Sequence, residues 1–339
     1  MANLGLRMRT VATKFRDSYL GTRRFLNYTA LCYDDKDPAA LFFNNDIQQL
    51  LRSLTRVDYN KVFRRRKLGA SQLEDPEYKF MTDAELQQSL QEAKEKAEEL
   101  LQIPPVLKVL NSEVKVLNHE PALQGLNTSR IVFTDITYGV KDSDRLIVVR
   151  EPDGVLQEAE WDLRQRINQM YFPKEGKLLN HPQIFEGEHL QSLLDRHKYE
   201  YVLDRACLQF EPDDPFYQRV VSIVYQHLNE SNSFDLLRSS RHFGALTFFL
   251  VWNKMIDNLL LDLIETLHIN EAKDLVTLYG LVHQVKFNGE EALDVVEDFI
   301  RTAANKKGAL ELAIQAYKDV PSQRESRRGR FQVVHELIE

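Results

Sequence analysis

Arg130-Ile131-Val132-Phe133-Thr134-Asp135-Ile136-Thr137-Tyr138 opens the stretch whose reading decides the fold. Arg145-Leu146-Ile147-Val148-Val149-Arg150-Glu151-Pro152-Asp153-Gly154 continues it. Two β-branched runs, Ile131 to Ile136 and Leu146 to Val149, flank a polar loop from Gly139 to Asp144, the pattern of an antiparallel hairpin with a longish connection. Glu151-Pro152-Asp153-Gly154 fits a type I turn, since Pro presets φ near about −65° at the second position and Gly tolerates the fourth. Val155 to Glu158 then returns as a short third strand. Trp161, Ile167, Met170 and Tyr171 follow at roughly helical intervals, and Pro173 stops them because it has no amide to donate. The spacing predicts a three-strand meander followed by one helix.

Outward toward the C-terminus the periodicity changes from two to about 3.6 residues. Leu179 to Pro182 reads as a linker, and from Glu188 the chain reads as wholly helical. Asp214 and Pro215 make a cap and first helical position for a helix through Tyr217, Val220, Val221, Val224 and Leu228. A second helix is expected over Phe234–Val251 and a third through Ile256, Leu259, Leu260, Leu263, Ile264 and Leu267. Three more carry Leu275, Val276, Tyr279 and Val282; Ala292, Leu293, Val296, Phe299 and Ile300; and Ala309, Ala313, Tyr317 and Val320. The six fall into three pairs of about 35 residues, the size of a helical-hairpin repeat, although no repeat consensus is legible. The expected fold class is mainly α with a small antiparallel β meander and a C-terminal helical-hairpin, repeat-like array.

Toward the N-terminus, Ile47, Leu50, Leu51, Leu54 and Val57 predict a short helix from Asn45. It runs into Lys61-Val62-Phe63-Arg64-Arg65-Arg66-Lys67, the densest positive cluster of the chain. Lys61, Arg64, Arg65, Arg66 and Lys67 are candidates for contact with RNA phosphates, each contact steepening the salt dependence of binding by about 0.7 to 0.9 log units per decade. A solvated basic turn would look the same. Thr82-Asp83-Ala84-Glu85 is a capping box. Leu86, Leu90, Ala93, Ala97 and Leu100 then form a narrow apolar seam, suited to docking one partner helix or surface and equally compatible with packing on its own domain. Pro104-Pro105 ends that helix, and residues 106–129 carry little pattern.

Composition narrows the field. The chain has 339 residues, 43% hydrophobic and 28% charged, enough for a proper core. Its only cysteines, Cys32 and Cys207, exclude a disulfide framework. The longest apolar run, Phe243 to Trp252, is far short of the roughly 18 residues that span a bilayer and reads as a buried core helix. The net charge of −7 is uneven: residues 1–33 hold six Lys or Arg and one acid, which is +5 and leaves −12 for the rest. An Arg-rich, acid-poor start of this kind predicts a mitochondrial transit peptide over residues 1–33. An acidic body argues against RNA on all sides but allows a local patch. The expected division is the leader, a helical arm with extended segments over 34–129, the meander and helix over 130–180, the helical array over 181–320, and a basic, flexible tail over 321–339.

Catalytic signatures are missing. The sequence has no Walker loop, GxGxxG, GxSxG or HExxH, and neither Cys has a CxxC partner. His181, His189 and His197, eight residues apart, are too widely spaced on a helix to share a metal. Asp142-Ser143-Asp144 sits where a hairpin loop is expected, and Asp is common there. Tyr171-Phe172 beside Lys174 could stack on a base, but aromatics before a helix-ending Pro more often belong to a core. No cofactor, metal, membrane or small-molecule substrate is expected.

Several long words resemble one family. Phe133-Thr134-Asp135-Ile136-Thr137-Tyr138, Ile147-Val148-Val149-Arg150-Glu151-Pro152 and Tyr171-Phe172-Pro173-Lys174-Glu175-Gly176 are similar to segments of the animal mitochondrial small-subunit ribosomal proteins numbered twenty-two. Gln209-Phe210-Glu211-Pro212-Asp213, the run from Asp235 to Gly244, Tyr78 to Thr82 and Pro104 to Leu107 fit the same family, in the same order, between about Asp46 and Tyr317. The Arg64-Arg65-Arg66 word has no counterpart in that resemblance. The resemblance implies a non-catalytic structural constituent of the mitochondrial small ribosomal subunit, bound to small-subunit rRNA and neighbouring mitochondrial ribosomal proteins in the matrix. Two other readings stay open on sequence: a free matrix helical-repeat factor acting on mitochondrial transcripts, and a matrix enzyme with a dispersed site.

Overall fold

A computed structural model describes residues 33, 37–64, 78–109, 114–126 and 128–319. The expected transit peptide and basic tail therefore lie outside the described residues, apart from Tyr33. In chain order the elements are α1 (Ala39–Phe42), α2 (Asn45–Thr55), α3 (Tyr59–Val62), α4 (Asp83–Leu100), β1 (Val116–His119), β2 (Ile131–Thr134), β3 (Ile147–Arg150) and β4 (Val155–Glu158). Then come α5 (Trp161–Tyr171), α6 (Gly187–Asp195), α7 (Tyr199–Gln209), α8 (Pro215–Ser231), α9 (His242–Trp252), α10 (Asp257–Glu265), α11 (Ile269–His283) and α12 (Ala292–Thr302). Residues 307–319 are helical as well.

The sheet has four antiparallel strands in the order β1-β4-β3-β2. The meander β2-β3-β4 is the one expected from sequence, and β1 is an addition from the stretch that carried little pattern. Every residue of β1 is exposed and its pairing shifts register between Val116 and Asn118, so no alternating face existed to be read. Between β3 and β4, Gly154 N donates to Glu151 O at 3.0 Å and Glu151 N to Val155 O at 2.9 Å, with Gly154 at φ +87°. Glu120 N then donates to Gly154 O at 3.0 Å, tying the end of β1 to this turn.

The loop from β2 to β3 closes around Arg145, which is buried. Its Nη1 donates to Asp135 O and Thr137 O, both at 3.0 Å, and its Nη2 to Val140 O at 2.9 Å. The guanidinium lies 3.6 Å from the centre of the Phe172 ring. Arg164 and Asn168 of α5 donate to further carbonyls of the same loop.

One hydrophobic core runs from Tyr33 and Phe42 to Leu310 and Ile314. α9 is its axis, buried on every side from His242 to Val251. α11 packs against α2, α9, α10 and α12. α2, capped by Asn44 through Asp46 N at 2.9 Å, lays Ile47, Leu51 and Leu54 into this core, each burial worth about 2 kcal/mol. Val57 is exposed beyond its end, because the helix stops at Thr55. The helix expected over Phe234–Val251 is broken. A 3-10 turn occupies Phe234–Leu236, Ser239 turns left-handed at φ +60°, and α9 begins only at His242. The cause is tertiary: Ser239 N donates to Thr55 O of α2 at 3.0 Å instead of continuing a helix.

The sheet module does not share that core. Ile147 and Val149 are buried within the sheet, and its links to the helices are polar. Trp161 Nε1 donates to Asp214 Oδ2 at 3.1 Å. Lys174 bridges Asp142 and Glu211 at 2.9 and 3.0 Å. Gln209 exchanges two hydrogen bonds with the Leu178 backbone.

Candidate nucleic-acid and protein interfaces

The described part of the basic stretch hangs from the end of α2. Arg56 has φ 52° and ψ 137°, a conformation costing a residue with a Cβ roughly 1–3 kcal/mol. Both oxygens of Glu271 hold its Nε, and Arg238, buried against Asp262 and Asp235, stands behind. Asp58 then caps α3 through Asn60 N at 3.0 Å and donates its own amide to Ser239 Oγ at 3.2 Å. Lys61 Nζ reaches Asp235 O at 3.2 Å, and Arg64 Nη2 pairs with Glu200 at 3.1 Å on the surface. Lys61 and Arg64 are thus exposed cations tethered to the helical body; Arg65, Arg66 and Lys67 lie outside the described residues. Sequence reasoning passed over Tyr59 and Phe63, whose exposed rings stack at 6.2 Å between centroids. The available signal was their spacing of four residues across Lys61.

α4 begins at the expected capping box: Glu85 N donates to Thr82 Oγ1 at 3.4 Å and Thr82 N to Glu85 Oε2 at 2.8 Å. The seam is mostly in water. Leu86 is 50% exposed, Leu90 62% and Leu100 49%, while Ala97 alone is buried at 1% and Ala93 is intermediate. Phe80, Tyr78 and Met81 extend the exposed apolar surface ahead of the helix. Beyond Leu101 the chain becomes a strap. Ile103 lies so close to α9 that any Cβ at Gly244 would collide with it, and Leu107 O accepts from Gln218 at 2.7 Å. The basic turn and the seam adjoin, since Lys61, Val62, Leu100 and Leu101 line one cleft of 270 Å³.

Other residues singled out in the sequence have structural employment. His181 packs edge-on to Phe210 and Phe216, His189 lies on α6, and His197 follows α6 at φ +55°, so the three do not share a helix. The carbonyls of Asp142 and Ser143 receive Arg164 and Asn168. Phe172 is half-buried under Arg145, but Tyr171 is 57% exposed and neither ring joins the hydrophobic core, so the core reading of that pair does not hold for Tyr171. Among the described residues no group of three or more His, Cys, Asp or Glu is placed to hold a metal, and no helix is long and apolar enough to cross a membrane.

The buried polar groups are set up for packing. Burial pushes the Cys207 thiol up, away from the thiolate a nucleophile needs. Burial also raises the Asp214 carboxyl, against the hydrogen bonds from Trp161 and Phe216 N. It lowers His242, against its 2.9 Å bond to Asp204.

Comparison with known proteins adds a consistent likeness. A model of the family described as mitochondrial 28S ribosomal protein S22 matches residues 40–284. The small ribosomal subunit protein mS22 of Mus musculus is 34% identical over 329 residues, covering 92% of this chain and 91% of the mouse protein. The protein of the same name from Bos taurus is 37% identical over 285 residues, 82% of this chain and 79% of its own length.

Proposed function

The chain belongs to the mitochondrial 28S ribosomal protein S22 family, and from that premise we propose that two adjoining surfaces hold it in its particle. It is a structural constituent of the mitochondrial small ribosomal subunit in the matrix, and not an enzyme. The observation that carries this is the breadth of the likeness, 92% of the chain against the mouse protein. Residues 1–33 serve as the targeting leader. Lys61, Arg64, Arg65, Arg66 and Lys67 neutralise phosphates of the small-subunit rRNA. Leu86, Leu90, Ala93, Ala97 and Leu100 dock against a neighbouring ribosomal protein. Support for the docking role is the exposure of the seam on a well-capped helix, since leucines at such spacing in water are an interaction surface waiting for its partner.

Sucrose-gradient profiles of mitochondrial lysate test the ribosomal placement and the seam. The chain should co-migrate with the small subunit at moderate salt. L86D/L90D should shift it to lighter fractions while changing the unfolding free energy by no more than about 0.5 kcal/mol, as exposed substitutions do. A wild-type chain confined to light fractions would sink the ribosomal placement and favour a free transcript-binding factor. An L86D/L90D chain that stays with the subunit would remove the seam from the account.

A further inference from the structure

Two partly exposed aromatic rings lie outside the hydrophobic core. Tyr59 and Phe63 sit one turn apart, 48% and 37% exposed, with ring planes 7° from parallel. Neither ring belongs to the hydrophobic core or to the apolar side chains packed against it. Yet the turn that displays them is fixed from several sides: by the left-handed Arg56 held on Glu271, by the Asp58 cap and its bond to Ser239, and by Lys61 on Asp235 O. Strain of that kind persists only where the surroundings impose it, and it points to a segment whose aim matters.

Charge beside the rings is positive. Lys61 donates to a carbonyl, which leaves its charge uncancelled. Arg64 shares a surface pair with Glu200, an interaction weak enough to be exchanged for a phosphate. Of the other carboxylates nearby, Asp235 is bound to Arg238, Asp204 in the same cleft is bound to Arg241 and His242, and Asp58 caps α3. The sequence continues with Arg65, Arg66 and Lys67.

We propose that Tyr59 and Phe63 form a base-stacking platform for single-stranded RNA, with Lys61 and Arg64 taking the adjoining phosphates. The proposal rests on the RNA contact put forward above and adds the kind of RNA, an unpaired strand. Bases in a duplex already stack on one another inside the helix, and its deep groove is closed to side chains. Exposed rings next to cations find ligands only where bases are free.

The test uses the full chain, a labelled oligoadenylate about twelve nucleotides long and an RNA duplex of equal length, read by fluorescence anisotropy across a salt series. The single strand should bind more tightly than the duplex. Y59A/F63A should weaken single-strand binding roughly 10-fold or more, with duplex binding and the salt slope unchanged. Y59W/F63W should restore it. K61Q/R64Q should instead flatten the salt slope by about 0.7 per lost contact. Since both rings lie outside the core, Y59A/F63A should still unfold cooperatively, with its midpoint lowered only slightly. Single-strand affinity unchanged in Y59A/F63A overturns the platform and leaves the phosphate contact standing. A wild-type chain that binds neither RNA overturns the RNA contact itself. Loss of the ribosomal particle by Y59A/F63A with RNA affinity intact assigns the rings to a protein partner and overturns the platform too.

Discussion

Arg145 is a buried charge whose two Nη groups are met by backbone carbonyls, while its Nε has no partner among the described residues. Its guanidinium is the centre on which the β2–β3 loop is wound, gathering three backbone carbonyls over the Phe172 ring. Lysine keeps the charge but presents a compact ammonium in place of a planar fork. R145K should therefore orphan at least one buried carbonyl and destabilise the sheet module by roughly 3 kcal/mol, measured by urea unfolding. Retention of wild-type stability would mean that the carbonyls find water. His242 makes a pH prediction. Burial holds its pKa below the ordinary value, with Asp204 opposing and Arg241 supplying a cation already. A depressed histidine binds its proton more tightly when unfolded, so its contribution is complete above about pH 6.5 and is lost as pH falls toward the folded pKa. His227, also lowered by burial, acts with the same sign. Urea midpoints should fall between neutral and mildly acid pH, and H242Q should flatten that dependence.

At the scale of elements, the sequence showed most of what had a one-sided apolar face, although α6 and α7 were covered only by the reading of a helical chain from Glu188. α2, α8, α10, α11 and α12 were legible because Leu, Ile and Val recur where their cores lie. β1 was not, because all four of its residues face water and its register is bulged. The break before α9 was hidden for a different reason, since its cause is a hydrogen bond from Ser239 to a residue 184 positions earlier, Thr55. Among the candidate sites, the seam and the cationic run were visible as composition. The stacked ring pair needed the backbone path set by Arg56. Gly154 shows how a strand without a face is held. A Cβ there would run into the Glu120 carbonyl oxygen, at a φ that favours glycine. G154A should detach β1 from β4 at a cost of about 2 kcal/mol or more. Hydrogen exchange should quicken at Glu120, whose amide donates to Gly154 O, before it changes anywhere in α8 or α9. Equal protection of Glu120 in both proteins would argue that β1 is pinned elsewhere.

For the molecule as a whole, the division that matters is between a body with one continuous apolar core and a sheet module fastened to it by polar contacts. The body draws on two distant stretches, because α2 and the Ile103 strap pack on helices that follow the sheet in sequence. No periodicity could announce that closure. Contacts made of hydrogen bonds and partly exposed ion pairs stabilise less than apolar burial does, so the module should open at lower free energy than the body. The chain carries its own reporters, having only two tryptophans. Trp161 sits at the joint, on Asp214, and Trp252 packs against Tyr33 and Phe248 in the body. W252F leaves only the joint visible in fluorescence, and W161F only the body. W161F also removes the Nε1 donor from Asp214, which loosens the joint but leaves the Trp252 surroundings intact. The Trp161 signal in W252F should therefore change at lower urea than the Trp252 signal in W161F, and the far-ultraviolet transition of each should follow the body. Coincident midpoints would mean that the polar joint couples as strongly as a shared core, and the two-part reading of the molecule would have to be given up.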